Sequence, residues 1–214
     1  MEIVHSLTYP FPHLIIENMY NDEELELIWE ELEFLNKPEK FYTPDKYGAA
    51  YNPETDEYGT KSLAVVLEEI YGNHSKMSNI LNIHSKIFKY NQLYFDLSPY
   101  HKKIMYINQG VTKIRYYCNG DEYLPHSDTL WETLVCTYFN KFPKKFTGGE
   151  LYFPEYNNYE VSCNHNMSIM FPSQFEHGVR KVNMLDDDSR SGYGRYCMSQ
   201  CLSVNPNLQT EKNS

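Results

Sequence analysis

Apolar residues recur at two different periods along this chain, and the change falls near residue 104. The first half has a helical period. Leu25, Ile28, Leu32 and Leu35 stand three or four apart with charge between them, which predicts an amphipathic helix over about 22–36. Asn21 offers its N-cap, and Asp22, Glu23 and Glu24 put negative charge in its first turn. Two more helical stretches are predicted over about 62–71 and 76–90, the second with Ile80, Leu81, Ile87 and Phe88 on its apolar face. Ahead of them the run from Tyr9 to Ile16 predicts a short extended strand. Residues 37–61, rich in Pro, Tyr, Gly and Asp, predict a long irregular segment and a candidate lid over a site.

Beyond residue 104 the pattern becomes short and β-prone. Strands are predicted at 111–118, 133–140, 149–154, 167–171, 178–182 and 195–203. Asn119-Gly120-Asp121, Gly148-Gly149 and Asn157-Asn158 punctuate them as turns. Helices followed by many short strands imply a mainly β protein with flanking helices (α+β), its jelly roll packed against N-terminal helices. The 214 residues suit one domain: helical support and lid over about 1–103, jelly-roll core over about 104–204, and a tail at 205–214.

Composition sharpens this picture. Apolar residues are 41% and charged residues 22%, an ordinary globular balance, but tyrosines number 20 against 11 phenylalanines. Tyrosine joins an apolar ring to a hydroxyl and suits half-buried strands and polar-lined pockets. The formal net charge is −10 and no run of Lys or Arg exceeds two, which argues against a nucleic-acid or anionic-membrane partner. The opening Met1-Glu2-Ile3 lacks the basic and apolar regions of a signal peptide, and no stretch nears the roughly 18 apolar residues of a membrane span. A cytoplasmic location is the expectation. The five cysteines, Cys118, Cys136, Cys163, Cys197 and Cys201, are odd in number and form no CxxC pair, so reduced buried thiols are expected.

Three residues are candidates for metal chemistry. Asp128 follows His126 by two, and His177 lies about fifty residues on, all beside predicted strands. Residues two apart in a strand point the same way, so a His-x-Asp pair can chelate one ion with a second histidine from a neighbouring strand. Two imidazoles and a carboxylate on one face of iron(II) leave the other face open. Taken alone, a His-x-Asp pair is better explained as a surface hydrogen bond. His5, His13, His74, His84, His101 and His165 read as surface or capping residues.

The surroundings of the pair add specificity. The run Arg115-Tyr116-Tyr117-Cys118-Asn119-Gly120-Asp121-Glu122-Tyr123-Leu124-Pro125-His126-Ser127-Asp128 resembles the Tyr-x-x-Gly-x-x-Tyr-x-x-His-x-Asp block of the prolyl 4-hydroxylase-like iron(II)/2-oxoglutarate-dependent dioxygenases. Leu134–Asn140 with Tyr138, Gly148-Gly149-Glu150-Leu151, Ser168–Pro172, His177–Val182 and Gly194–Leu202 follow in the family's order. The resemblance covers about 111–203 and is loose over 1–100. It implies a double-stranded β-helix (cupin-like) core, with iron(II) on His126, Asp128 and His177. It further implies 2-oxoglutarate on Arg195 with Tyr138, and Tyr117 lining the cosubstrate pocket. Tyr123 and Trp131 would border the substrate side. Arg195 stands 18 residues after His177, further than the family's usual spacing, so Arg190 and Arg180 are rival arginines, of which only Arg195 opens a β-prone run. Residues 183–192 read as an enlarged hairpin loop.

What the resemblance implies chemically is hydroxylation of an unactivated C–H bond by O2, with 2-oxoglutarate decarboxylated to succinate and ascorbate a candidate helper. Asp128 fits hydroxylation; related halogenating enzymes carry a small residue there. A prolyl residue of a peptide or protein is the expected substrate. A free amino acid or other small metabolite is the alternative, and a non-catalytic jelly-roll binding module is the reading from another class. Neither the oligomeric state nor the pathway follows from the sequence.

Overall fold

The computed structural model describes residues 1–37, 40–49, 51–97, 99–185 and 191–205, with 99–102 described by backbone alone. In chain order the elements are β1 (Ile3–Leu7), β2 (His13–Glu17), α1 (Asp22–Leu35), α2 (Pro44–Tyr47), β3 (Tyr51–Asn52), β4 (Glu57–Tyr58), β5 (Leu63–Val66), α3 (Leu67–Tyr71), α4 (Asn79–Ile83) and α5 (Asn91–Leu97). Then come β6 (Gln109–Tyr117), β7 (Tyr123–His126), β8 (Thr133–Phe139), β9 (Phe146–Gly148), β10 (Leu151–Phe153), β11 (Tyr159–Val161), β12 (Met167–Pro172), β13 (His177–Val179), β14 (Val182–Met184) and β15 (Arg195–Ser203). Short 3-10 segments link several of them.

The strands form a double-stranded β-helix. A seven-stranded antiparallel sheet, ordered β1-β2-β12-β8-β15-β6-β5, faces a four-stranded sheet ordered β11-β10-β13-β7. Every residue of β8 is buried, because both faces of the large sheet are covered. Alternation sorts its side chains into two cores. Val135 and Phe139, with Ile114, Tyr116, Met170, Tyr196 and Met198, meet Ile28, Leu32 and Leu35 of α1 on the helical side. Leu134, Cys136 and Tyr138, with Ile169, Phe171 and Cys197, meet Leu151, Phe153 and Val179 of the small sheet. One strand therefore fills two cores, and neighbouring substitutions in β8 strike different layers.

Helix α1 forms as its pattern predicts. Asn21 and Glu24 build a reciprocal capping box, a contribution of about 1 kcal/mol. The buried exception on its face is Glu31, whose carboxylate accepts from the Ser78 hydroxyl at 2.8 Å and the Ile80 amide at 2.8 Å, tying α1 to α4.

Three expectations about local structure are corrected. The 62–71 stretch is half strand: Leu63–Val66 pairs with β6 and the helix begins only at Leu67. β-Branched Val65 and Val66 favour the pleated edge that β6 offers. The 76–90 stretch breaks at His84 into α4 and a 3-10 turn, where the His84 ring takes up the Leu81 carbonyl at 2.6 Å. The 178–182 run splits between β13, in the small sheet, and β14, which pairs with β9. β14 also claims Asn183 and Met184 from the expected loop, while 186–190, Arg190 included, lie outside the described residues.

His13 is fully buried rather than superficial, with Nδ1 on the Phe11 carbonyl at 2.8 Å and Nε2 against the Tyr159 hydroxyl. All five cysteines are free, four of them buried and Cys201 half-buried. No helix among the described residues is long and apolar enough to cross a membrane.

Candidate metal centre

Strands β7 and β13 are neighbours, and His126 pairs directly with His177. Residues directly opposite in an antiparallel ladder project to the same face. Each ring is then oriented by its own backbone. Nδ1 of His126 donates to the Leu124 carbonyl at 2.9 Å, and Nδ1 of His177 donates to the Phe175 carbonyl at 2.8 Å. With the proton on Nδ1, the lone pair of each ring stands on Nε2. Burial, reinforced at His126 by the neighbouring His177, pushes both imidazoles below their ordinary pKa. Both are neutral at neutral pH, as ligation requires.

Asp128 arrives from a loop, because β7 ends at His126. Strand alternation is therefore not what aims it. Its amide donates to the Ser173 carbonyl at 3.0 Å. The Trp131 carbonyl in turn accepts from the Ser173 hydroxyl at 2.5 Å and from the Gln174 side-chain amide. This clasp to the end of β12 brings Asp128 Oδ2 to 3.8 Å from His177 Nε2. One donor atom from each of the three residues lies within 4.8 Å of the others. Two neutral imidazoles and a carboxylate on one side suit a first-row divalent ion with open positions.

The cluster lines a cavity of about 310 Å³, the size of a small-ligand site. Arg195, first residue of β15 and paired with Tyr117, lies in the same cavity with 1% of its surface exposed. Its guanidinium carbon is 4.7 Å from the centre of the Tyr117 ring and 4.8 Å from that of Tyr138. Among the described residues, Nε and Nη1 of Arg195 have no hydrogen-bond partner, nor has the Tyr138 hydroxyl. Burial holds the Tyr138 phenol well above its ordinary pKa, so it stays a donor. A buried guanidinium without an anion is costly, and a carboxylate would satisfy it through two parallel hydrogen bonds.

No family model matches the sequence, and no curated protein does. Solved structures match instead. A prolyl-4-hydroxylase of Pseudomonas putida superposes with a TM-score of 0.56 at 12% identity, over 90% of this chain and 92% of its own. A prolyl hydroxylase of Trichoplax adhaerens, in complex with a hypoxia inducible factor oxygen degradation domain peptide fragment, gives 0.61 at 12% identity, over 94% and 87%. The fold is that of the prolyl 4-hydroxylase-like 2OG-Fe(II) oxygenases. The same oxygenase fold also serves another reaction: the non-heme alpha ketoglutarate dependent epimerase SnoN from nogalamycin biosynthesis gives 0.57 at 9% identity, over 90% and 76%.

Within this oxygenase fold the remaining candidates separate. Tyr117 and Trp131 line the cavity, and the Tyr123 ring stacks on His126 at 3.9 Å between centroids. Tyr138 is buried beside Arg195 and does not itself line the cavity. Arg180 is elsewhere: it lies over the Tyr152 ring at 3.7 Å and pairs with Glu160 at 2.7 Å. The 37–61 segment contributes Gly48 and Ala49 to the cavity, and its end is laced to β7, where the Leu124 amide donates to the Gly59 carbonyl at 2.7 Å.

Sequence reasoning missed Lys113 and Arg115, which line the same cavity. Their signal was available: they precede Tyr117 by four and two on β6, and so share its face.

Proposed function

We propose that this chain is an iron(II)- and 2-oxoglutarate-dependent dioxygenase that hydroxylates an unactivated C–H bond, with a prolyl residue of a peptide or protein as its substrate. The observation that carries the reading is Arg195, buried with Nε and Nη1 unpartnered among the described residues, in the cavity that also gathers His126, Asp128 and His177. The donor set fits iron(II), and the unpaired guanidinium and phenol fit a carboxylate. When bound, iron and 2-oxoglutarate supply oxidative decarboxylation coupled to C–H hydroxylation. The chain's own part is positioning. His126 and His177 would each offer Nε2, Asp128 a carboxylate oxygen, and Arg195 with Tyr138 would hold the distal carboxylate of 2-oxoglutarate. Tyr117 covers the Arg195 side, and Tyr123 with Trp131 walls the side left to substrate. The likeness to prolyl hydroxylases, one of them bound to a peptide fragment, supports the prolyl assignment.

The test is succinate production from 2-oxoglutarate with added iron(II), followed by a search for a mass gain of one oxygen on proline-rich peptides and on free amino acids. Succinate with an oxidised peptide is the expected result. Oxidation of the free amino acids alone would transfer the assignment to a small metabolite, the reading that the modest cavity also suits. Absence of both iron binding and turnover would leave a non-catalytic jelly-roll module.

A further inference from the structure

In a chain of net charge −10, three cations converge on one cavity beside a single carboxylate. Arg195 is one of them, and the dioxygenase reading assigns it an anion. Lys113 and Arg115 remain. Arg115 is 9% exposed, and its Nη1 donates to the Tyr47 hydroxyl at 3.2 Å. Its guanidinium carbon lies 4.8 Å from the centre of the Tyr123 ring, which stacks on His126. Arg115 is thus one ring away from a metal-ligating candidate. Lys113 stands two residues earlier on the same face, its Nζ 5.5 Å from the Tyr47 ring. Neither side chain has a carboxylate within 4.0 Å among the described residues.

Charge balance decides what is missing. A divalent ion is offset by Asp128 and one end of 2-oxoglutarate, and Arg195 by the other end. Lys113 and Arg115 are then left as an uncompensated pair of positive charges at the substrate side of the cavity. Buried charges are paired in stable assemblies, and a planar guanidinium is matched by a carboxylate. A hydroxyl and two aromatic faces hold the Arg115 fork in place, so little ordering remains to be done when an anion arrives.

Resting on the dioxygenase reading, we infer that Arg115, assisted by Lys113, binds a carboxylate of the substrate beside the carbon to be hydroxylated. That carboxylate is either the α-carboxylate of a free amino acid or an acidic side chain next to the target residue in a peptide.

Thermal shift of the protein loaded with zinc and 2-oxoglutarate tests this without turnover. The probes are L-proline against L-prolinamide, and N-acetyl-Pro-Glu-amide against N-acetyl-Pro-Gln-amide. At least one acid is expected to stabilise the wild type while its amide does not, and which acid does so tells the free amino acid from the peptide. Arg115→Met is expected to weaken that acid by about tenfold to a hundredfold, the loss of one charged hydrogen-bonded partner. Lys113→Met is expected to weaken it less, and Arg115→Lys to recover part of the loss. Equal shifts for acid and amide, or no shift from any probe, overturn the inference. So does loss of 2-oxoglutarate affinity in Arg115→Met with acid binding retained, which would give this subsite to the cosubstrate. Should Arg115→Met fail to fold by circular dichroism, the Lys113→Met and Arg115→Lys titrations carry the decision. Failure of the wild type to bind 2-oxoglutarate sinks the dioxygenase reading instead, and the same acid and amide titrations on protein lacking it then decide the subsite alone.

Discussion

His126 and His177 face one another across the β7–β13 ladder, and each ring is tethered by Nδ1 to the carbonyl two residues before it. The tethers hold the proton on each Nδ1 and leave each Nε2 as the donor atom. Tethered donors lower the ordering cost of binding.

A stability prediction follows from that geometry. With free metal at a hundredfold over its dissociation constant, binding stabilises by about 2.7 kcal/mol, which for a chain of this size is roughly 5–10 °C in Tm. Added iron(II) or zinc should raise the wild-type Tm by that amount and a chelator should reverse it. His126→Ala, His177→Ala and Asp128→Ala should each abolish the gain while the metal-free Tm of Asp128→Ala stays within about 2 °C, since the partly exposed Asp128 carboxylate stands 3.8 Å from a neutral imidazole and gains little from it. A large metal-free loss in Asp128→Ala with metal stabilisation intact would mark the cluster as a structural ion pair.

Gly149 guards the approach of Arg195. Its φ is +79°, and a Cβ there would lie 2.6 Å from Arg195 Cδ. Gly149→Ala should therefore cost about 1 kcal/mol of stability from backbone strain and also displace the guanidinium. The expected kinetic signature is a rise of about tenfold in the KM for 2-oxoglutarate with a smaller change in kcat. A lowered Tm with an unchanged KM would show that Arg195 does not hold the cosubstrate.

Much of this candidate site was legible in the primary structure, for reasons that differ by residue. His126, Asp128 and His177 stand within an ordered series of short motifs, and β6 and β15 announce themselves as β-prone runs between turn residues. Yet Asp128 was singled out on an argument about strand alternation that the fold does not use; the Ser173 clasp, invisible in a local pattern, positions it. Strand β7 was hidden by Pro125, which is admissible because β7 is the edge of its sheet. Arg115 was passed over although it shares the Tyr117 face of β6, and the Tyr123 ring beneath it shows what it faces. The 62–71 segment misled because its strand exists only where β6 offers an edge.

Acid stability offers a test of the N-terminal anchor. Glu2 accepts from Lys89 Nζ and the Tyr90 hydroxyl, each at 2.5 Å, and pairs with Lys86 at 3.3 Å. Burial pushes its carboxyl up, but these bonds outweigh it and leave the pKa at about 2, below the ordinary 4.5. A folded-state value below the unfolded one stabilises above the unfolded value and fades as pH falls through the folded one. Glu2→Gln should thus be less stable than wild type at pH 6 and converge with it between pH 4.5 and about 2. Denaturant midpoints across that range are the measurement. A constant gap would sink the assignment, and added salt should narrow the gap at pH 6.

Arg195 sets stability against function. The guanidinium is buried with two donors unpartnered among the described residues, and replacing buried charge by apolar bulk is often neutral or stabilising by about 1–4 kcal/mol. Against that gain stands the loss of its contacts with the Tyr117 and Tyr138 rings, roughly 1–2 kcal/mol each when desolvated. The two nearly cancel, so Arg195→Met should unfold within about 2 kcal/mol of wild type. Its affinity for 2-oxoglutarate should nonetheless fall by at least about a hundredfold, because a bidentate charged pair is lost where no water can replace it. Denaturation in the absence and presence of 2-oxoglutarate reads both quantities from one sample. Wild type should gain stability from the cosubstrate and Arg195→Met should not. A variant that collapses without ligand would show that Arg195 serves the core rather than the site.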